Sequence, residues 1–204
     1  MVAAARPGEL ELTVLTRRAV ARPKPHVIVL QAIPKGDRGE LAVELLTEVG
    51  VDTIVPWAAE RSVAVWRGER AARSRARWNS AAEEAAKQSR RAWFPEVTEQ
   101  ADLAAATRRI AGASLAIVLD PDATEPVTAI RVPPAGEIVV VVGPEGGVSP
   151  AEADAFTTAG AVPARLGPTV LRASTAGVVA AAVLLSRTDR WRGAPERQGR
   201  AGLT

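Results

Sequence analysis

A chain of 204 residues with 47% apolar residues can form one medium domain or two small ones around a substantial core. It has no cysteine, which excludes disulfides, thiolate metal sites and a Cys-His pair, and a single histidine, His26, which argues against His-based metal clusters and a Ser-His-Asp triad. The formal charge is only +3, but every cation other than Lys24, Lys35 and Lys87 is arginine, a bias that suits phosphate contacts and base stacking and equally fits biased codon usage.

The N-terminal MVAAARPGELEL lacks the apolar core and cleavage site of a signal peptide, and no apolar run reaches membrane-spanning length, so the chain reads as cytoplasmic with no membrane partner. Glu9–Val20 alternates like a strand with nothing before it to pair with, and Ala21–Pro25 reads as a linker. His26–Ile33 is a buried strand, with His26 structural rather than catalytic, and Pro34-Lys35-Gly36 turns out of it. Glu40–Val49 carries Leu41, Val43, Leu45, Leu46 and Val49 on a helix closed by Gly50. Asp52–Trp57 is a second strand and Val63–Trp66 a short third. Glu69–Arg91 is a long helix with Ala71, Trp78, Ala82 and Ala85 near one stripe and Arg70, Arg73 and Arg77 on another, stopped by Phe94-Pro95.

Leu103–Ile110 is a further helix, Leu115–Leu119 and Ile138–Val142 are strands, Pro150–Ala159 a helix, Pro163–Leu166 a short strand and Ala173–Arg187 the last helix. The basic segment from residue 191 to 204 reads as a frayed tail. Strands alternating with helices predict an α/β domain with a mostly parallel sheet.

Two loops stand out. Gly143-Pro144-Glu145-Gly146-Gly147 follows a strand and precedes a helix with Ser149 at its N-cap, Pro150 at its first turn and Glu152 at its third position. Glycines there let backbone approach a ligand and present free N–H groups, although a tight strand-to-helix turn would look the same. The second loop, Leu166-Gly167-Pro168-Thr169-Val170-Leu171-Arg172, ends with an arginine at a helix start, where the helix dipole disfavours it; this points to an anion or a base as its partner. The helix beyond it is slim, with Ala173, Ala176, Gly177, Ala180, Ala181 and Ala182, and suits close packing within the chain or against another subunit. Between Glu60 and Trp93, Arg61, Arg67, Arg70, Arg73, Arg75, Arg77, Arg90 and Arg91 interleave with Trp66, Trp78 and Trp93. Guanidinium groups among indoles suit RNA phosphates and unstacked bases, and a solvated helix face has a similar pattern.

Many short motifs in one order carry a resemblance. They are Leu30-Gln31-Ala32 with Pro34-Lys35-Gly36-Asp37, Glu48-Val49-Gly50-Val51, Ile54-Val55-Pro56, Glu60-Arg61-Ser62-Val63, Arg77-Trp78, Gln88-Ser89 with Arg91, Pro95-Glu96-Val97, GPEGG and LGPTVLR. Together they resemble the RsmE family, the ribosomal small-subunit RNA (uridine N3) methyltransferases of the SPOUT superfamily, from about Pro25 to Leu185.

The resemblance implies a SPOUT-type α/β fold over residues 23–190 with a deep C-terminal trefoil knot, a homodimer, and S-adenosylmethionine as cofactor without a metal. It places the cofactor on Leu119, Gly143, Pro144, Glu145, Gly146, Gly147, Leu166, Gly167, Leu171, Arg172, Ala173, Thr175 and Ala176. The RNA partner, 16S ribosomal RNA in the small subunit, falls to Arg61, Arg70, Arg73, Arg77 and Arg91. The family usually starts with a PUA-like β-barrel, of which residues 1–22 look like a remnant and linker. It commonly reads Leu-Arg-Thr-Glu-Thr-Ala where this chain has Leu171-Arg172-Ala173-Ser174-Thr175-Ala176.

The reaction so implied moves a methyl group to N3 of an unpaired or flipped uridine. Arg172 is the candidate for stabilising the uracil anion, and Glu145 the candidate base or orienting group. The alternatives are a SPOUT methyltransferase with another RNA target and a non-catalytic RNA- or nucleotide-binding module. A nicotinamide oxidoreductase is disfavoured because no GxGxxG is present.

Overall fold

The computed structural model describes residues 2–36 and 38–192. Two antiparallel strands open the chain, β1 (Val2–Arg6) and β2 (Glu9–Leu12). The expectation that the second had no preceding partner is therefore corrected: Ala5 faces Leu10 and Arg6 faces Glu9 across the pair. Residues 13–25 carry no regular element, so the strand does not continue to Val20. The linker is nevertheless anchored, because Trp93 Nε1 donates to the Val20 carbonyl at 3.0 Å and the Arg22 guanidinium lies 4.7 Å over the Trp93 ring.

The main body follows as β3 (His26–Ala32), α1 (Arg38–Val49), β4 (Thr53–Trp57), α2 (Glu69–Gln88), β5 (Glu96–Val97) and α3 (Leu103–Ala111). Then come β6 (Leu115–Leu119), β7 (Glu137–Val142), α4 (Pro150–Thr158), β8 (Val162–Ala164), α5 (Ala173–Leu185) and the short α6 (Asp189–Arg192). The six strands β3 to β8 form one sheet in the order β5-β4-β3-β7-β6-β8, with every pairing parallel. One expectation fails locally, and one strand goes unannounced. Residues 63–66 form no strand, because nothing among the described residues pairs with them and Val63 and Val65 stay exposed. Glu96–Val97, in contrast, pairs with Thr53 and Ile54 as an edge strand that two residues could not announce. Of the tail, Trp191 and Arg192 belong to α6, and residues 193–204 lie outside the described residues.

Helices cover both faces, which is why the central strands read as continuous apolar runs rather than alternating ones. Val27 and Val29 of β3 and Ile138, Val140 and Val142 of β7 pack with Val43 and Leu46 of α1, Trp78 of α2, and Ala180 and Leu184 of α5. Their neighbours Ile28, Leu30, Val139 and Val141 point the other way, towards Ala106 and Ile110 of α3 and Phe156 of α4. On that side Trp57 meets Phe156 edge-on at 5.4 Å and donates Nε1–H to the Val142 carbonyl at 2.9 Å. The slim residues of α5 are explained inside the chain. A Cβ on Gly177 would stand 3.1 Å from Val142 Cγ2 and 3.2 Å from Leu46 Cδ2.

The segment between β6 and β7 wraps the C-terminal part of the chain. The Val127 amide donates to the Arg165 carbonyl and the Arg165 amide to the Glu125 carbonyl, both at 2.9 Å. Arg165 Nη1 donates to the Ala123 and Thr124 carbonyls, and Arg187 Nη1 donates to those of Thr128 (2.9 Å) and Ile130 (2.7 Å).

At the amino end of the sheet a buried carboxylate joins distant segments. Asp52, whose side chain is 7% exposed, accepts from the Val27 amide at 2.9 Å, Arg190 Nη1 at 2.5 Å and Arg91 Nη2 at 3.4 Å. Arg91 also donates to the Thr47 (2.9 Å) and Val51 (2.6 Å) carbonyls, and Arg190 to those of Gly50 (2.6 Å) and Pro25 (2.9 Å). Burial lowers the Arg91 pKa, Asp52 opposes that shift and Arg190 adds to it. Removing the carboxylate leaves two buried cations without their counter-ion. Asp52→Ala is therefore expected to lower the unfolding free energy by about 3–5 kcal/mol in urea denaturation, and a loss below about 1 kcal/mol would contradict this role.

Candidate active site

In an open parallel sheet, ligands collect beyond the carboxyl ends of the strands, where neighbouring connections leave in opposite directions. Here that point lies between β3, whose chain moves outward to β4 and β5, and β7, whose other neighbour is β6. The loops after β3, β4, β7 and β8 converge there.

The loop after β7 is held by local chemistry. Gly147 takes φ +75° and its amide donates to the Pro144 carbonyl at 2.8 Å, a turn that favours glycine. Ser149 and Glu152 form a reciprocal capping box at the start of α4. The second oxygen of Glu152 accepts the Glu60 amide at 2.6 Å, which ties the loop after β4 to the loop after β7. Arg61 Nη1 donates to the Gly146 carbonyl at 3.2 Å. A Cβ on Gly146 would lie 3.1 Å from Arg61 Cβ, so the two loops pack backbone against side chain.

Glu145 and Arg172, distant in sequence, line one pocket of about 270 Å³ with Lys35, Arg38 and Val63. Arg172 occupies the N-cap position of α5 in extended conformation, and its carbonyl, not its side chain, accepts from the Thr175 and Ala176 amides at 2.9 Å. Three cations thus surround one carboxylate, an arrangement that attracts a developing anion. Lys35 and Arg38 were not among the sequence candidates for the site. The available signal was the Pro34-Lys35-Gly36 turn itself, since it leaves the carboxyl end of the strand at the centre of the sheet.

Leu119, Leu166 and Leu171 are half-buried against the core. The backbone amides of Gly167, Thr169, Val170, Leu171 and Arg172 donate to no described residue. Ala173 and Ala176 are buried, and Thr175 Oγ1 bonds the Arg172 carbonyl at 3.2 Å. Gln31 Nε2 donates to the Ala32 (3.0 Å) and Ala173 (3.2 Å) carbonyls, while Gln31 Oε1 and Ser174 Oγ are buried without partners. Apolar walls, unused amides and a floor of small residues fit an adenine-bearing cofactor. Among the described residues, no group of three His, Asp or Glu side chains could hold a metal ion. Nor is any described helix long and apolar enough to cross a membrane.

The arginines named for RNA separate in the structure. Arg70 and Arg77 line a second, larger groove, with Arg77 3.6 Å from Glu40. Arg73 pairs along its own helix with Glu69 at 3.2 Å, and Arg61 braces the Gly146 loop. Arg91 is a correction. With its side chain only 11% exposed and its guanidinium committed to Asp52 and two carbonyls, it belongs to the framework and not to an RNA-facing surface.

Comparison with known proteins identifies the family and the fold. The model of the RNA methyltransferase domain family matches residues 22–185. The ribosomal RNA small subunit methyltransferase E of Mycobacterium bovis is 45% identical over 189 residues, covering 90% of this chain and 72% of that protein. A putative methyltransferase of Legionella pneumophila, solved with bound SAM, superposes with a TM-score of 0.75 at 30% identity, covering 80% of this chain and 66% of the other. The ribosomal RNA small subunit methyltransferase E of Neisseria gonorrhoeae, bound to S-adenosyl methionine, gives a TM-score of 0.71 at 28% identity, covering 81% and 68%.

Proposed function

We propose that this chain, which belongs to the ribosomal RNA small subunit methyltransferase E family, methylates N3 of a uridine in 16S ribosomal RNA, with S-adenosylmethionine as donor. The observation that carries the reading is the meeting of Glu145 and Arg172 in one pocket beside the unused amides of the 167–172 segment. Leu119, Leu166 and Leu171 flank the adenine, and the backbone of 143–147 and 167–173 reads its edge, with Thr175 and Ala176 beneath. S-Adenosylmethionine supplies a methyl group already activated on a sulfonium, so no metal is required. What the chain adds is orientation and charge.

The uracil N3–H is a weak acid on an amide-like nitrogen. Glu145 accepts that proton, and the positive field of Arg172, Lys35 and Arg38 stabilises the uracil anion as N3 becomes nucleophilic. The N3–carbon bond then forms as the sulfur–carbon bond breaks. N3 lies on the pairing edge, so the uridine enters unpaired or flipped out. Arg61, Arg70, Arg73 and Arg77 serve the surrounding RNA.

Further parts of this reading are a threaded C-terminus, a homodimer and a cytoplasmic location. The wrapping of Arg165 and Arg187 by the 120–131 segment supports the threading. Exposed Val179 beside half-buried Val178 and Val183 offers α5 an apolar strip for a second copy. Sedimentation at micromolar concentration tests the dimer: a monomer mass would remove it. The reaction is tested by incubating labelled donor with unmodified small and large ribosomal subunits. Label in small-subunit RNA alone is expected, and label in large-subunit RNA would contradict the assignment.

A further inference from the structure

The larger groove, of about 650 Å³, lies beside the reaction pocket, and Val63 lines both. Three segments wall it: the turn from β3 into α1 with Pro34, Gly36, Gly39 and Glu40, the irregular segment 63–67, and α2 with its arginines. Trp66 is half-buried and stands edge-on to buried Trp78, with ring centroids 4.9 Å apart and planes at 78°. Trp78 is wedged against α1, where a Cβ on Gly39 would come within 2.8 Å of its Nε1, so Trp66 rests on a fixed support. Around this ring, Arg67 and Arg70 are exposed and carry no ion pair to a described residue. Val63 is 72% exposed although β-branched and apolar, and it forms the wall between the two compartments.

A rigid indole beside guanidiniums that pair with no described carboxylate is the chemistry of a single-stranded nucleotide site, with one base against the ring and its phosphate on the cations. The geometry points to the Trp66 groove as a second nucleotide subsite. It takes the unstacked base adjacent to the target, with Arg67 and Arg70 on the phosphate and Val63 inserted between the two splayed bases. This rests on the reading of the smaller pocket as the uridine site. It goes beyond a general basic surface, because it commits to one base on one side chain and to an apolar wedge that separates it from the target.

The test uses the full chain and short single-stranded RNAs with a central uridine and 2-aminopurine on its 5′ or 3′ side. One of the two placements should lose fluorescence on binding through stacking. Trp66→Ala should abolish that change and weaken RNA binding about tenfold, the size expected for one stacked base, whereas Trp66→Phe restores most of both. Arg70→Ala, on an exposed position that does not support the fold, should weaken binding and flatten its salt dependence without altering S-adenosylmethionine affinity. RNA affinity unchanged within about twofold in both Trp66→Ala and Arg70→Ala, or fluorescence unchanged in both placements, would overturn the subsite. Methyl transfer is measured separately. RNA binding with the expected variant effects but no transfer by the wild type would sink the methyltransferase reading and leave the subsite standing.

Discussion

Arg172→Ala should lower the rate of methyl transfer about 10²–10³-fold, as expected when one preorganised group facing developing charge is lost. The affinity for S-adenosylmethionine should stay within about twofold, because the contacts assigned to the cofactor are backbone and apolar while Arg172 lines the pocket proposed for the uridine. The local structure makes this a clean test. The Arg172 side chain makes no capping bond, so α5 does not depend on it, and the carbonyl that holds the Thr175 and Ala176 amides survives the substitution. Arg172→Lys keeps a charge but not the planar fork, and should recover only part of the rate. Single-turnover transfer and calorimetric cofactor binding read the two effects separately. Undiminished transfer by Arg172→Ala would remove this residue from the mechanism.

The second large effect is expected at Glu145. Glu145→Gln keeps the shape and removes the proton acceptor, so transfer should fall about 10²–10⁴-fold near neutral pH. The pH profile distinguishes a base from an orienting group. Without the carboxylate, the reaction depends on uridine that has already lost its N3 proton. The residual rate should then rise about tenfold per pH unit through neutrality towards the alkaline ionisation of N3, while the wild type rises less steeply. A variant with reduced rate but the wild-type profile would make Glu145 an orienting group. A variant with full activity would place the base elsewhere.

Much of the frame is legible in the amino-acid order. The runs at His26–Ala32, Leu115–Leu119 and Glu137–Val142 announce strands because both of their faces are buried. The capping pattern Ser149-Pro150 with Glu152 marks the start of α4. What fails is decided by partners far away in sequence. The strand at Val2–Arg6 is mostly alanine and shows no alternation, so only its pairing with Glu9–Leu12 reveals it. Arg91 looks like its neighbours on a basic stretch, and its inward turn is set by two carbonyls and a carboxylate some forty positions earlier.

The site shows the same division. The two loops that carry Glu145 and Arg172 are visible as motifs, and the fold brings them together. Arg38 carries no pattern of its own, and the motif that holds Lys35 does not say where its turn lies. They enter the pocket because the strand before them is central in the sheet, a fact of topology. Trp66 becomes distinctive only when Trp78 is seen behind it. The family is legible in the ordered set of short motifs, since composition and periodicity alone point no further than a parallel α/β domain with a basic segment.

The most direct test of the central claim is nucleoside mass analysis of small-subunit RNA after incubation with the full chain and isotopically labelled S-adenosylmethionine. The predicted product is labelled 3-methyluridine at a single site, lost in both Arg172→Ala and Glu145→Gln. Labelled methyl on uracil C5, on a ribose 2′-oxygen or on another base would contradict the account, as would a wild-type chain that binds the donor and leaves the RNA unlabelled.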